Sequence, residues 1–217
     1  RATNERVESG GGRGGQGDGV RVTGKATWEY VQRGLAGKVN QDLASKLRGR
    51  GVGLCGMDGQ MLRCAELDSR LGYVGEVTHV DTTLIRSLLD GGYIPVIATV
   101  GMDDLGQPYN VNADTAAAQI AIALKAEKLV SMTDIAGLLR DKDDESTLIP
   151  EVEVSAIEGY KAAGIIAGGM IPKIGGMADA PSPRAHAAAI IDGGAPHTLL
   201  PDRIAHAGPR TALAPTS

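Results

Sequence analysis

The chain has 217 residues, 42% of them hydrophobic, which is enough to fold around a substantial core. Its net charge of −4, without a long basic run, argues against nucleic acid as a partner, and no apolar run reaches the length of a membrane span. Aromatic residues make up 3%, which favours the aliphatic core of a layered α/β protein. Cys55 and Cys64 fit neither a disulfide framework nor a zinc site, so we expect free thiols and no protein-bound metal.

The first elements in chain order follow a glycine-rich stretch. Residues 1–19 are polar and rich in glycine, which predicts a flexible segment or an incomplete N-terminus. Apolar residues recur at spacings of three or four between Thr27 and Arg48, which predicts a helix with Thr27 as its N-cap. The Asp58-Gly59 pair lies between two short apolar runs and predicts a β-hairpin.

Strands and helices alternate through the rest of the chain. Residues 72–80 predict a strand, residues 81–92 a helix capped by Asp81 or Thr82 and stopped by Gly91, and residues 93–101 a continuous strand. Helices are also predicted within residues 113–127, 149–164, 168–180 and 198–208, and strands within residues 128–137 and 187–197. This alternation predicts an α/β fold with a mainly parallel sheet and helices on both of its faces.

Asn110, Asn112 and Asp114 lie between a predicted strand and the alanine-rich helix. Ligands bind at the carboxyl ends of strands in open α/β sheets, and the N-terminus of a helix offers free N–H groups there. The residues are therefore candidates for a ligand site. Helix capping is the alternative interpretation, because Asn and Asp are common at such junctions.

Thr133, Asp134 and Gly137 follow the apolar run Leu129–Met132. A strand that ends in this pattern can present backbone N–H groups and a carboxylate to a nucleotide. An ordinary turn that closes a strand has the same pattern, so the motif alone does not distinguish the two interpretations.

Gly168-Gly169 precedes Lys173 at the start of a predicted helix. Glycines allow the backbone to approach a ligand closely, and a lysine at this end of a helix opposes the helix dipole. A transferring phosphoryl group nearby would compensate that cost. The alternative is a solvated surface lysine, the commoner location of this residue type.

Two stretches taken together, YNVNADTAAAQIAIALKAEKLVSMTDIAGLL and AGGMIPKIGGM, resemble the N-acetyl-L-glutamate kinases of the amino-acid kinase family. The resemblance runs from about Val20 to about Leu200 and is strongest to plant and algal members. It implies a three-layer αβα sandwich around a mainly parallel sheet. Residues 20–108 would bind the acyl amino acid and residues 109–217 would bind ATP.

The resemblance also implies roles for individual residues. Lys173 matches a lysine that stabilises the transferring phosphoryl group, and Asp114 matches a carboxylate that orients catalytic lysines. Arg21 and Asn110 match substrate-binding residues. The nucleotide-binding segments of the family match Asp134, Ile135, Ala136, Gly137, Leu138, Leu139, Ile165, Ile166 and Ala167.

The N-terminus departs from the family pattern. Gly11 and Gly12 match only weakly the family's His-Gly-Gly-Gly turn, which contacts substrate. The family's first strand carries a Lys-x-Gly-Gly motif that is not found before Arg21, so the first strand is expected to be missing. If the printed chain is complete, we expect it to be poorly active or inactive.

The implied reaction transfers the γ-phosphoryl group of ATP, bound with Mg²⁺, to the side-chain carboxylate of N-acetyl-L-glutamate in arginine biosynthesis. A kinase for another small acidic amino acid, or a non-catalytic nucleotide-binding or regulatory remnant, are the alternatives. The plant-type resemblance further implies the PII signalling protein as a partner and a chloroplast location, or otherwise a cytoplasmic one. A homo-oligomer is also expected by resemblance.

Overall fold

The computed structural model describes residues 16–17, 20–21, 25–179, 188–199 and 210–214. The chain divides into two units, the first ending at Ala116 and the second beginning at Ala117. Within the described ranges, none of the helices combines the length and the apolar character needed to cross a bilayer.

The first unit alternates short helices and strands, numbered here in chain order. Its elements are β1 (Gln16–Gly17), β2 (Val20–Arg21), α1 (Lys25–Gln32), α2 (Asn40–Ser45), β3 (Gly51–Cys55), β4 (Leu62–Glu66), β5 (Val74–Val80), α3 (Thr83–Asp90), β6 (Ile94–Ala98), β7 (Val100–Met102), β8 (Pro108–Val111) and the start of α4 (Ala113–Leu124). β3 pairs with β6 in parallel, and β4, β5, β8 and β7 close into a small barrel. Trp28, Val31 and Val100 form a core cluster of this unit.

The long helix predicted from Thr27 to Arg48 is present with one irregularity. Residues Arg33–Val39 form a π-helical segment between α1 and α2. The helix already begins at Lys25, so the prediction of Thr27 as N-cap is wrong. Gln16 and Gly17 pair with β2, and residues 1–15, 18 and 19 lie outside the described part of the chain, so the flexible or incomplete N-terminus stays a prediction.

The predicted hairpin around Asp58-Gly59 is also wrong. The turn exists, with Gly59 at φ +59°, but the two strands that it joins belong to different sheets. β3 pairs with β6 and β4 pairs antiparallel with β5. An Asp-Gly turn specifies the reversal of the chain, whereas the partner of each strand depends on residues far along the sequence.

The continuous strand predicted at residues 93–101 is broken at Thr99. β6 pairs with β3, and β7 pairs with β8 and β4 in the barrel. Nearby predictions are confirmed: β5 lies within residues 72–80, and α3 begins after Asp81, whose Oδ1 accepts the Thr83 N–H at 2.8 Å. Gly91 follows the last residue of α3, as predicted.

The second unit contains a mixed sheet covered by short helices. After α4 its elements are β9 (Leu129–Thr133), β10 (Glu151–Glu153), α5 (Ile157–Ala162), α6 (Met170–Asp179), β11 (Ala188–Asp192) and β12 (Arg210–Ala214). The strand order is β10-β12-β11-β9, with β9 parallel to β11 and β10 parallel to β12. Ile174 of α6 packs with Ile190 and Leu213 in the core.

The helices and strands predicted in this unit lie within their predicted ranges, with one exception. The helix predicted within residues 149–164 is α5, and the strand β10 precedes it and pairs with β12. The helix predicted at residues 198–208 falls mostly outside the described residues.

Candidate functional site

Asn112 forms the junction between β8 and α4. Its Oδ1 accepts the backbone N–H of Asp114 at 3.0 Å and that of Thr115 at 3.1 Å. The capping interpretation is therefore correct for Asn112, since two of the free N–H groups at the helix start are satisfied by its side chain. Asp114 lies in the first turn of α4, where a carboxylate is favourable to the helix dipole.

Asn110 is held on β8 by both neighbouring strands. Its N–H donates to the Tyr73 carbonyl oxygen at 2.8 Å, and it pairs in register with Val100 of β7. The preceding Tyr109 is buried and its hydroxyl donates to Asp103 Oδ2 at 3.3 Å. Burial, together with the Asp103 carboxylate, raises the Tyr109 pKa. β8 therefore presents Asn110, Asn112 and Asp114 from a firmly anchored strand end.

In the second unit, the carboxyl ends of β9 and β11 meet at one edge of the sheet. Thr133 pairs with Asp192, and the Gly193 N–H donates to the Thr133 carbonyl oxygen at 2.7 Å. The Asp192 carboxylate accepts the Gly194 N–H at 2.7 Å. Asp134 follows directly on Thr133 and is exposed. Parallel strand ends of this kind are the usual ligand edge of an α/β sheet.

The segment 134–139 leaves this edge and is fixed by Thr211 of β12. The Thr211 Oγ1 accepts the Leu138 N–H at 2.7 Å and donates to the Ile149 carbonyl oxygen at 2.7 Å. Gly137 lies close to the same side chain. A Cβ added to Gly137 would be 2.5 Å from the Thr211 Oγ1, which leaves no room for a larger residue. The Leu138 side chain is in the core, whereas Asp134 and Ile135 are exposed.

Lys173 lies in the first turn of α6, four residues after Gly169, which confirms its predicted position at a helix start. Its Nζ donates to the Ser131 Oγ of β9 at 3.0 Å, and its side chain is half-buried. A free surface lysine would not bend back onto a strand. The contact fixes the ammonium group on the sheet that ends at Asp134.

The remaining predicted site residues differ in how they are placed. Arg21 ends β2, opposite Gln16. The Ile166 side chain is buried in the core, whereas Ala167 is exposed. Gly11 and Gly12 lie outside the described residues. Asp114 belongs to the first unit and Lys173 to the second, so their convergence on one ligand stays a prediction.

The structure adds residues that the sequence reasoning missed. Ser131, Asp192 and Thr211 contact the predicted segments, but none was singled out. Asp192 could have been found, because an acidic residue followed by Gly-Gly at the end of an apolar strand is the same type of signal as Thr133-Asp134. Ser131 and Thr211 carry no such signal, since their roles depend on partners distant in sequence.

In the described ranges, no group of three or more His, Cys, Asp or Glu side chains forms a ready-made metal site. Mg²⁺ that arrives with a nucleotide needs only one or two carboxylates beside the phosphate oxygens. Asp134 and Asp192, at one sheet edge, offer that chemistry. Cys55 and Cys64 are free thiols, as expected.

Comparison with known proteins relates the chain to a family of kinases. The model described as "Amino acid kinase family" matches residues 2–186. A protein named acetylglutamate kinase from Actinobacillus pleuropneumoniae serotype 5b (strain L20) is 56% identical over 185 residues, covering 84% of this chain and 65% of the relative. Another from Clostridioides difficile (strain 630) is 44% identical over 200 residues, covering 90% and 70%. The chain thus spans about 65% of the length of the first of these relatives.

Solved structures agree on the fold. The smu.665 protein of Streptococcus mutans UA159 is 30% identical with a TM-score of 0.78, covering 88% of this chain and 78% of that one. N-acetylglutamate synthase from Neisseria gonorrhoeae, complexed with coenzyme A and N-acetyl-glutamate, is 25% identical with a TM-score of 0.81, covering 100% and 50%. The predicted α/β fold class is confirmed.

Proposed function

The chain belongs to the amino acid kinase family, and on that premise we propose that it transfers the γ-phosphoryl group of ATP to the side-chain carboxylate of N-acetyl-L-glutamate. In this reaction the bond between the γ-phosphorus and the β,γ-bridging oxygen breaks, and a bond to a carboxylate oxygen forms. The products are ADP and an acyl phosphate. The step belongs to arginine biosynthesis.

The observation that carries this proposal is the 56% identity to a protein named acetylglutamate kinase, over 185 residues that reach into both units. That degree of identity favours N-acetyl-L-glutamate over another small acidic amino acid. The edge geometry of the second unit supports the same reaction class, because it combines a fixed ammonium group with exposed backbone at parallel strand ends.

Lys173 and Asp114 are proposed as the catalytic pair. Phosphoryl transfer depends mainly on positioning and on positive charge near the transferring oxygens. The Lys173 ammonium supplies that charge as a compact point charge. The Asp114 carboxylate, in the first turn of α4, is proposed to orient it.

The nucleotide is proposed to bind along segments 134–139 and 165–167 of the second unit. Exposed Met132 and Ile135 offer apolar surface beside polar backbone at this edge, which suits a purine ring. The core-facing Leu138 and Ile166 would contribute through backbone and support rather than through side-chain contact. Mg²⁺ accompanies the nucleotide and would neutralise phosphate charge, with Asp134 or Asp192 as its protein ligand.

The acyl amino acid is proposed to bind to the first unit through Arg21 and Asn110. A guanidinium group pairs with a carboxylate in two parallel hydrogen bonds, and a side-chain amide can both donate to and accept from an N-acetyl group. Gly11 and Gly12 are proposed as weaker substrate contacts. Residues 20–108 would then form the half that binds the acyl amino acid.

Trapping the acyl phosphate tests this function. The purified chain is incubated with Mg²⁺, ATP, hydroxylamine and N-acetyl-L-glutamate, and the accumulated hydroxamate is measured against ADP. Since the product accumulates, slow turnover is sufficient for detection. We expect hydroxamate that depends on both substrates and that Lys173→Ala and Asp114→Asn each reduce by about 100-fold or more.

Parallel reactions with L-glutamate, L-aspartate and carbamate decide the substrate. Equal or greater product from any of these would contradict the assignment to N-acetyl-L-glutamate. Isothermal titration with ATP separates an inactive nucleotide-binding remnant from an enzyme. ATP binding without hydroxamate formation would favour that remnant over the kinase.

The resemblance also leads to proposals on the partner, the oligomeric state and the location of the protein. By the plant-type resemblance we propose PII as a partner and a homo-oligomeric state, with a chloroplast location if the chain is of plant or algal type and a cytoplasmic one otherwise. Pull-down with PII tests the first, light scattering the second, and microscopy of a tagged chain the third. A monomer that does not bind PII would contradict the first two proposals.

A further inference from the structure

Ser131, the strand residue that contacts Lys173, is a polar residue in a mainly apolar strand. Ser131 lies in the middle of β9, an otherwise mainly apolar strand. It pairs with Ile190 of β11, which is fully buried in the core beneath α6. A polar side chain at such a position costs free energy unless it is hydrogen-bonded. The Lys173 Nζ, at 3.0 Å, is a bonding partner that compensates this cost.

Alternation along the strand places Ser131 on the same face as Leu129 and Thr133. Leu129 packs against the core cluster that contains Ile174, the residue after Lys173. α6 therefore covers this face of β9. Ser131 lies two residues before the strand ends, which is about 7 Å along the strand at about 3.3 Å per residue. The ammonium group is held within one side-chain length of the sheet edge.

We propose that Ser131 is a positioning residue that holds the Lys173 ammonium group ready for the transferring phosphoryl group. This inference rests on the proposed kinase function. A lysine has a flexible four-carbon stem, and ordering it when the ligand binds costs conformational entropy. Ser131 accepts one hydrogen bond from the Lys173 ammonium group, which carries three N–H donors. The lysine is therefore partly ordered before ATP arrives.

Competitive labelling tests the contact without requiring activity. The chain is treated with a limiting amount of acetic anhydride, and the acetylation of Lys173 relative to Lys161 is measured by peptide mass spectrometry. Lys161 is paired with Glu158 at 2.8 Å and serves as the internal reference. In Ser131→Ala we expect the Lys173:Lys161 ratio to rise about threefold or more, and in Ser131→Thr to stay at the unsubstituted value, because the hydroxyl is retained. An unchanged ratio in Ser131→Ala would overturn the proposal.

Kinetics of the same variants test whether the contact serves catalysis. Loss of a hydrogen bond to a charged group predicts a fall in kcat of about tenfold in Ser131→Ala, with both KM values within about twofold. Ser131→Thr should restore kcat. Ser155→Ala, which removes a surface hydroxyl bonded to Glu153, is the matched control and should leave kcat unchanged.

The proposed kinase function and the proposed role of Ser131 can be refuted separately. If the unsubstituted chain forms no hydroxamate, the proposed kinase function fails, and the labelling ratio still decides whether Ser131 holds Lys173. If the chain is active and Ser131→Ala has the same kcat, Ser131 is a structural residue and the positioning role is refuted. An equal loss of kcat in the Thr variant would also contradict it.

Discussion

Replacing Thr211 by valine should detach the segment 134–139 from its support. The Thr211 side chain is fully buried, and its hydroxyl joins the Leu138 N–H to the Ile149 carbonyl oxygen, each at 2.7 Å. Valine has nearly the same shape, so no cavity forms. It leaves one buried donor and one buried acceptor unpaired, at about 1–3 kcal/mol each, or roughly 2–6 kcal/mol together.

Urea unfolding followed by circular dichroism measures this loss. Thr211→Ser is the matched control, because it keeps the hydroxyl and removes one methyl group, at a cost of about 1 kcal/mol. Under conditions where both variants are folded, we expect Thr211→Val to bind ATP roughly tenfold more weakly, since the segment is no longer preorganised. Equal free energies of unfolding for the two variants would refute the reasoning.

Other contacts lead to further predictions. Gly53→Ala should destabilise the first unit by roughly 1–3 kcal/mol in urea unfolding, because the new Cβ overlaps the Asn40 amide, which cannot move while it bonds two strand carbonyls. Wild-type stability would contradict this. Asn112→Ala should cost about 1 kcal/mol and Asn112→Asp much less, since aspartate still caps the helix. Burial and the nearby Asp103 carboxylate raise the Cys64 pKa from 9.0 to about 11. The stability of the fold is therefore unaffected by this thiol below pH 9 and falls as the pH rises from 9 through 11. Iodoacetamide at pH 8 should therefore label Cys64 only as fast as the chain unfolds. Rapid labelling of Cys64 in the native chain would contradict the account.

Local sequence patterns were sufficient for elements whose signals lie within a few residues. The alanine-rich run that becomes α4, the apolar strand β9 and the glycine-led helix α6 were each predicted in place. Patterns of period 3.6 or 2, together with caps and glycine stops, contain that information in the segment itself.

Strand pairing could not be predicted in the same way. Gly51 of β3 pairs with Ile94 of β6, on the far side of β4, β5 and α3 in the sequence. For this reason the prediction of a hairpin at Asp58-Gly59 was wrong, and so was the prediction of a single strand at residues 93–101. Pairing depends on which apolar faces can be buried together, which a turn motif does not specify.

The same distinction between local patterns and long-range contacts applies to the candidate site. Motif residues such as Leu138 and Lys173 were singled out as candidates from the sequence, whereas the residues that support them were not. Lys173 and Ser131 are 42 residues apart, and Leu138 and Thr211 are 73 residues apart. Serine and threonine are common everywhere, so only the folded contacts distinguish these two from other hydroxyl residues.

A crystal structure of the chain with Mg²⁺, a non-hydrolysable ATP analogue and N-acetyl-L-glutamate tests the central claim most directly. The account predicts the γ-phosphate at the carboxyl edge of β9 and β11, with the Lys173 Nζ within about 3 Å of a phosphate oxygen. The Asp114 carboxylate should lie beside the same group. A nucleotide bound elsewhere, or Lys173 and Asp114 on opposite sides of the ligand-bound protein, would contradict it.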